Sequence, residues 1–451
     1  MIKSRYKKII FFLMMLISFM VTIITILNSS SICYFMPLLP AFNLLGNIIY
    51  FTLTKEKDIY IGSLVIFGTY FIRNTITPLV MTLSNYLDEV GYLYNYDETI
   101  IYMCIEFLIV SCVVTLFTKR RDKTIQDEVT DFSFFEGNSK IMLIIISLVS
   151  IILTLIYPKV LNIFKFGFIT GDAMTEHYIE YYRTLNSMPK LIFYLLSWSL
   201  TILKELLTVM ILLKIKNSRI NMKVLASIIV IGINALISTD TLADSLIFSI
   251  IYCMIIMDFY KKSFKIVITI VFGGVLLFLI KGLFYDINST SNILNSLAFT
   301  LNAYFGGIKN VAVAFSIQNY NWGEVLCGDF FRSIPIIKAL FVNLNNTTTI
   351  FNNAGNTSGQ IIPAIGQSYM YFGKVLSFLI PTIFSYLTVK YETKLSKETK
   401  LINKYLLYIL IMRTACVPVL YNAYIFLIGY FGTYLPIKWL SMLDRKNKKG
   451  A

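Results

Sequence analysis

The chain has 451 residues, 57% of them hydrophobic and 14% charged, against roughly 25% charged in an ordinary soluble domain. With a mean hydropathy of +0.70, that composition excludes a water-soluble enzyme. The formal charge of +15, from 40 Lys and Arg against 25 Asp and Glu, is read first as membrane topology rather than as nucleic-acid binding.

The opening MIKSRYKK precedes an apolar run at about 9–27. That run is too long for a signal peptide and has no clean small-residue cleavage site, so it is predicted as the first span. Further runs follow at about 32–53, 59–83, 99–117, 141–157, 191–213, 224–239, 243–259, 266–280, 368–389, 403–421 and 424–440. Each crossing needs about 20 apolar residues. The pattern therefore predicts an all-α polytopic membrane protein, a single integral domain over 1–451 with about 12 transmembrane helices. Runs 141–157, 224–239 and 266–280 are short, so ten or eleven spans are the alternatives.

With the N-terminus inside, 27 of the 40 cations fall on inside segments, eight on outside loops and five within or beside spans. Every inside segment is basic in turn, which predicts a multi-pass protein with both termini cytoplasmic. The outside face then carries two long loops, 158–190 and 281–367. A structureless loop as long as the second is improbable in a compact protein, so short helices lying on the outer face are expected there.

Several chemistries lack their residues. There is no GxxxxGK[ST] phosphate loop, no HExxH and no GxSxG, and the chain has one histidine. The six cysteines are scattered singly with no CxxC. No metal and no cofactor is expected.

In the first long loop, a helix over 175–183 would place Glu176, Glu180 and Arg183 at i, i+4 and i+7, with His177 and Tyr181 beside them. One face would then offer acids and an imidazole for proton transfer, an arginine fork for phosphate and a ring to stack on a sugar. The plain alternative is an interfacial helix with an aromatic belt and solvated charges. In the second loop, Tyr304, Lys309, Arg332 and Lys338 stand in a half of the protein otherwise poor in cations, which fits a diphosphate. The alternative for Arg332 is a loop charge paired with Asp329 at i, i+3. Arg73 and Arg413, in the outer halves of their spans, either line an outward cavity or snorkel to the head groups. Asp240 and Asp244, in the tight corner 238–245, are a candidate base or helix caps.

Two stretches carry a resemblance: Asn302-Ala303-Tyr304-Phe305-Gly306-Gly307-Ile308-Lys309-Asn310, and Gly366-Gln367-Ser368-Tyr369-Met370-Tyr371-Phe372-Gly373 running into an apolar span with Pro381. With the two large external loops, they resemble the Wzy-type polymerases of bacterial O-antigen and capsular repeat units over about a fifth of the chain. The sequence departs from some of those polymerases, in which a loop Arg is followed by Gly eleven positions later. Here Arg183 leads to Tyr194 and Arg332 to Asn343, and the corner 238–245 has acids in place of an arginine.

The resemblance implies a glycosyltransferase on the outer face of the cytoplasmic membrane. It would join polyprenyl-diphosphate-linked oligosaccharides with no cofactor, using cations at the diphosphate and a base at the acceptor hydroxyl. On that analogy His177, Glu176, Glu180 and Asp240 are the candidate acid/base groups, and Arg183, Arg332, Lys338, Lys309, Tyr181, Tyr304, Arg73 and Arg413 the candidate diphosphate and sugar contacts. A chain-length regulator and a flippase are the implied protein partners, with no nucleic acid. The main rival is a flippase for the same lipid, which explains the composition equally well and the long outside loops poorly.

Overall fold

A computed structural model describes residues 4–28, 33–54, 61–86, 94–118, 135, 137–163, 165–166, 181, 184–215, 237–238, 251, 293–318, 320–335, 337–339, 341, 343–357 and 360–447. Among the described residues, the regular elements are helices apart from one antiparallel pairing of Lys165–Phe166 (β1) with Ile237–Ser238 (β2). Five helical segments are long and apolar enough to cross a membrane: Lys8–Leu27, Ile61–Ser84, Tyr96–Phe117, Gly137–Ile156 and Met188–Ile211. The runs predicted at 224–239, 243–259 and 266–280 lie outside the described residues, apart from the two residues of β2 and Ile251.

The remaining predicted spans take other forms. Helix α2 (Leu38–Leu53) is apolar but has 16 residues. The run 368–389 is not one helix: α12 (Ala364–Phe372) ends at Gly373, whose φ of +77° is left-handed, and α13 (Leu379–Leu395) begins after a short 3-10 turn. Glycine is the residue that takes this φ without a Cβ penalty. The run 403–421 is helical as α14 (Leu401–Cys416) and then turns. The run 424–440 is α15 (Ala423–Gly429), a π-helical turn at Tyr430–Tyr434, and α16 (Leu435–Asn447).

The chain divides into two compact units. The first comprises residues 1–126, 279–397 and 410–428, and the second 127–278, 398–409 and 429–451.

The first unit contains α1 (Ser4–Leu27), α2, α3 (Ile61–Phe71), α4 (Thr77–Ser84), α5 (Tyr96–Phe117) and the short helices α8 (Ile293–Tyr304), α9 (Ile308–Ser316), α10 (Trp322–Ser333) and α11 (Thr347–Ala354), followed by α12 and α13. Between α3 and α4 the helix runs through a π turn at Ile72–Ile76. Lipid tails are as apolar as leucine, so such helices associate through close packing and buried hydrogen bonds rather than through escape from water. Both devices are present. Gly46 of α2 meets α5 so closely that a Cβ would lie 2.4 Å from the Phe107 ring. Rings of Phe11, Tyr50, Phe67 and Phe107 follow one another, with centroids 5.2, 4.4 and 6.1 Å apart. The Ser18 hydroxyl meets Asn43 Oδ1 at 3.1 Å and Thr75 Oγ1 at 3.0 Å, tying α1 to α2 and to the π turn. At the start of α3, the Ser63 N–H and hydroxyl donate to Glu392 of α13 at 3.1 and 2.9 Å, so a distant carboxylate caps the helix.

The second unit is built on α6 (Gly137–Ile156) and α7 (Ser187–Ile215). Only Ser139, Leu143 and Ser150 of α6 are buried, while Ile144, Ile145, Leu148, Ile151, Ile152 and Leu155 are exposed, the composition of a helix surrounded by acyl chains. The Ser150 and Ser199 hydroxyls meet at 2.9 Å and join α6 to α7. The Trp198 indole N–H donates to the Gly432 carbonyl at 2.6 Å, inside the π turn where one helical bond is displaced.

Candidate functional site

In the first unit, the segment from α8 to α12 converges on a buried carboxylate. Asn321 starts α10 by accepting the N–H groups of Gly323 and Glu324, and Asn346 starts α11 by accepting the N–H and hydroxyl of Thr349. Helix α10 then inverts the usual amphipathic pattern. Trp322, Leu326 and Phe330, at i, i+4 and i+8, are exposed, while Val325, Gly328, Asp329 and Ser333 are buried. An apolar outer stripe led by Trp and a polar inner face suit a helix lying in the bilayer interface.

Asp329, 2% exposed, accepts from four directions. Its Oδ1 takes the Thr347 N–H at 3.2 Å; its Oδ2 takes the Thr347 hydroxyl at 2.7 Å, the Gln367 amide at 3.0 Å and the Tyr371 phenol. The proton positions follow from the partners. Gln367 Oε1 accepts the Ala423 N–H at 2.7 Å, which turns its NH₂ toward Asp329, toward the Tyr371 oxygen at 3.0 Å and, more distantly, toward Thr347 Oγ1 at 3.4 Å. With two amide hydrogens, Gln367 serves the two nearer oxygens, Asp329 and Tyr371, while Tyr371 and Thr347 each direct their own proton at Asp329. Four donors and no acceptor fit an ionised carboxylate. Burial nonetheless raises the Asp329 pKa above the usual carboxylate value, against the lowering effect of the Tyr371, Thr347 and Gln367 bonds.

Two of the expected cations follow Asp329 in the chain, and Lys338 lies in the field of Arg332. Arg332, one turn on from Asp329, uses Nη1 on the Leu344 carbonyl at 2.8 Å and leaves its buried Nε without a hydrogen bond. Thus Arg332 is bonded to Leu344, while Asp329 is bonded to Thr347, Gln367 and Tyr371. Lys338 is an exposed residue, yet the protein around its ammonium lowers its pKa by desolvation, and the neighbouring Arg332 charge lowers it further. Tyr424, hydrogen-bonded to Asn346, lies within the fields of both Arg332 and Asp329.

The other candidates are placed as follows. Lys309 is half-buried, its Nζ 5.8 Å from the Tyr86 ring centroid, and desolvation lowers its pKa. Tyr304 is exposed at the end of α8. Tyr181, in the second unit, stacks edgewise on Phe193 and carries Lys159 Nζ 4.4 Å from its ring centroid. Arg413 is buried in the last turn of α14. Arg73 neither lines an open cavity nor snorkels. It is 1% exposed and its Nη1 donates to both oxygens of Glu106, at 3.1 and 2.9 Å, with the Tyr70 hydroxyl donating to the same carboxylate at 2.8 Å. Glu176, His177, Glu180, Arg183 and Asp240 lie outside the described residues.

The Tyr304-Phe305-Gly306-Gly307 stretch is a corner between α8 and α9. Gly306 has φ +54°, and a Cβ there would lie 3.1 Å from Pro363; Gly307 lies against the Asn302 amide. Asn302, Asn310 and Gln360 then hydrogen-bond in series, at 2.9 and 3.0 Å, and fasten the corner to the loop before α12. Asp329, Thr347, Gln367, Tyr371 and Tyr424 escaped the sequence reading as site residues, although Gln367 and Tyr371 share a helical face at i, i+4. No known protein family, characterised protein or solved structure matches this chain.

Proposed function

We propose that this chain polymerises polyprenyl-diphosphate-linked oligosaccharide repeat units at the outer face of the cytoplasmic membrane. The observation that carries the reading is the buried Asp329 hub, with Arg332 one helical turn further along α10 and Lys338 in the field of Arg332, built from short helices in a chain that also has membrane-length apolar helices. Glycosyl transfer from a lipid diphosphate asks for a proton acceptor near the attacking hydroxyl and for cations at the departing diphosphate. Both kinds of group occur here within a few residues of each other. The outward apolar stripe of α10 supports the same reading, because the substrate is a lipid whose head group reacts at the interface.

The test is deletion of the gene followed by gel analysis of surface glycan. A polymerase leaves a single repeat unit on lipid; a flippase strands intermediates on the inner face. Arg332 gives the sharper test. A fork that grips phosphate oxygens serves them in a way lysine only partly copies, so Arg332→Ala should abolish long chains and Arg332→Lys should restore some. Normal ladders from Arg332→Ala at normal abundance would remove it from diphosphate binding. Orientation is tested without adding a residue: Cys327 is exposed on α10. A membrane-impermeant maleimide should label intact cells there, and Cys327→Ser should remove that label. Labelling that needs permeabilised cells would reverse the topology.

A further inference from the structure

We propose that Tyr371 is the catalytic group that takes the proton of the attacking sugar hydroxyl, and that Asp329 receives it through the Tyr371 phenol. This assignment rests on the polymerase reading. Asp329 has the charge to act as a base but not the access, since it is 2% exposed and its Oδ2 already accepts three donors. Of Asp329, Thr347, Gln367, Tyr371 and Tyr424, Tyr371 is the one that is not buried. It is half-buried, it sits one residue from the exposed end of α12, and the next residues Phe372, Gly373 and Lys374 are all exposed. Its oxygen has two lone pairs. Gln367 occupies one at 3.0 Å, and Gln367 is itself locked by the Ala423 N–H, so its amide cannot turn to accept the phenolic proton. That proton is committed to Asp329, and the second lone pair is left for a hydroxyl arriving from outside.

The step balances. The acceptor oxygen forms its bond to the anomeric carbon as the bond from that carbon to the diphosphate oxygen breaks, and polyprenyl diphosphate leaves with the electron pair. The acceptor proton passes to the Tyr371 oxygen while the phenolic proton passes to Asp329 Oδ2. Phenol and hub are regenerated when Asp329 releases the proton back along the same path. Thr347 and Gln367 position the carboxylate.

The experiment uses a strain lacking the chain, complemented with wild type, Tyr371→Phe, Asp329→Asn or Asp329→Glu. Glycan ladder and membrane abundance are read together. Polymerisation rate against pH is measured in membrane vesicles fed lipid-linked repeat units extracted from the deletion strain. Tyr371→Phe and Asp329→Asn should each lower the rate by about 10²-fold or more at normal abundance, and Asp329→Glu should recover part of it. Among the described residues, the titratable groups facing Asp329 are Tyr371 and Tyr424, and Tyr424 also lies in the field of Arg332. The wild-type rate should fall as pH drops and Asp329 takes up a proton, at a pH above the ordinary aspartate range, while Asp329→Asn should keep a low, flat profile. Normal ladders from Tyr371→Phe would overturn the assignment. If that variant does not accumulate, a wild-type rate that stays flat into the acid range overturns it instead. A deletion strain with unchanged glycan, or with lipid intermediates trapped inside, fails at an earlier point: it removes the polymerase reading and this assignment with it.

Discussion

Glu106→Ala is expected to destabilise the chain by about 3–5 kcal/mol, because it leaves the Arg73 guanidinium buried and unpaired in a span. Arg73 has no route to water: it is 1% exposed, Glu106 is 0% exposed, and Cys104, Phe107 and Tyr70 crowd the same level of the bundle. Its Nε and Nη2 already lack partners, so the two bonds to Glu106 are what offset the cost of burying the charge. Arg73→Met alone should cost less, since the remaining carboxyl can protonate and keep its bond from Tyr70. The double change Arg73→Met with Glu106→Leu should recover most of the loss, because replacing a buried pair by apolar groups of similar volume is often neutral or better. Thermal unfolding of the detergent-purified variants measures this as a double-mutant cycle. A Glu106→Ala variant as stable as wild type would mean that water reaches Arg73.

Part of that pair was legible in the sequence. Arg73 and Glu106 are ionisable residues inside the consecutive apolar runs 59–83 and 99–117, where a charge needs a partner. The face that Arg73 presents depends on the π turn at Ile72–Ile76, which shifts the helical register by a fraction of a turn, and no residue pattern announces it. Span existence was similarly legible wherever apolar length and composition agreed, as at 8–27, 96–117 and 137–156. The run 368–389 failed because Gly373 looks like any other small residue in an apolar sequence until its φ is known.

The site was less legible, for a physical reason. The sequence reading turned to the stretch that puts acids, an imidazole and an arginine close together in the chain, Glu176 to Arg183. The Asp329 hub has one charged residue and draws Thr347, Gln367, Tyr371 and Ala423 from segments far apart in the chain. A carboxylate served by hydroxyls and an amide leaves no local charge pattern. Only the i, i+4 spacing of Gln367 and Tyr371 hinted that two polar groups face the same way.

Gly328→Ala is expected to abolish polymerisation while changing one methyl group. A Cβ at position 328 would stand 2.0 Å from the Asn345 carbonyl oxygen and 2.9 Å from its carbon, where carbon contacts are ordinarily about 3.5–4.0 Å. Both obstacles are backbone, so no side chain can swing aside, and α10 must draw away from the start of α11 by about 1 Å or more. The residue that follows is Asp329, whose bonds to the Thr347 N–H and hydroxyl cross that same gap. Misplacement of this size costs about 10²-fold in catalysis, on top of an overpacking cost of about 1–3 kcal/mol. Gly68→Ala is the control: nothing lies within 4 Å of its Cβ position in α3, and alanine favours a helix interior over glycine by up to about 1 kcal/mol. Glycan ladders and membrane abundance should therefore show Gly68→Ala intact and Gly328→Ala reduced to single repeat units. Full-length chains from Gly328→Ala at normal abundance would show that the reaction does not depend on the contact between α10 and α11, and Asp329 would lose its part in it.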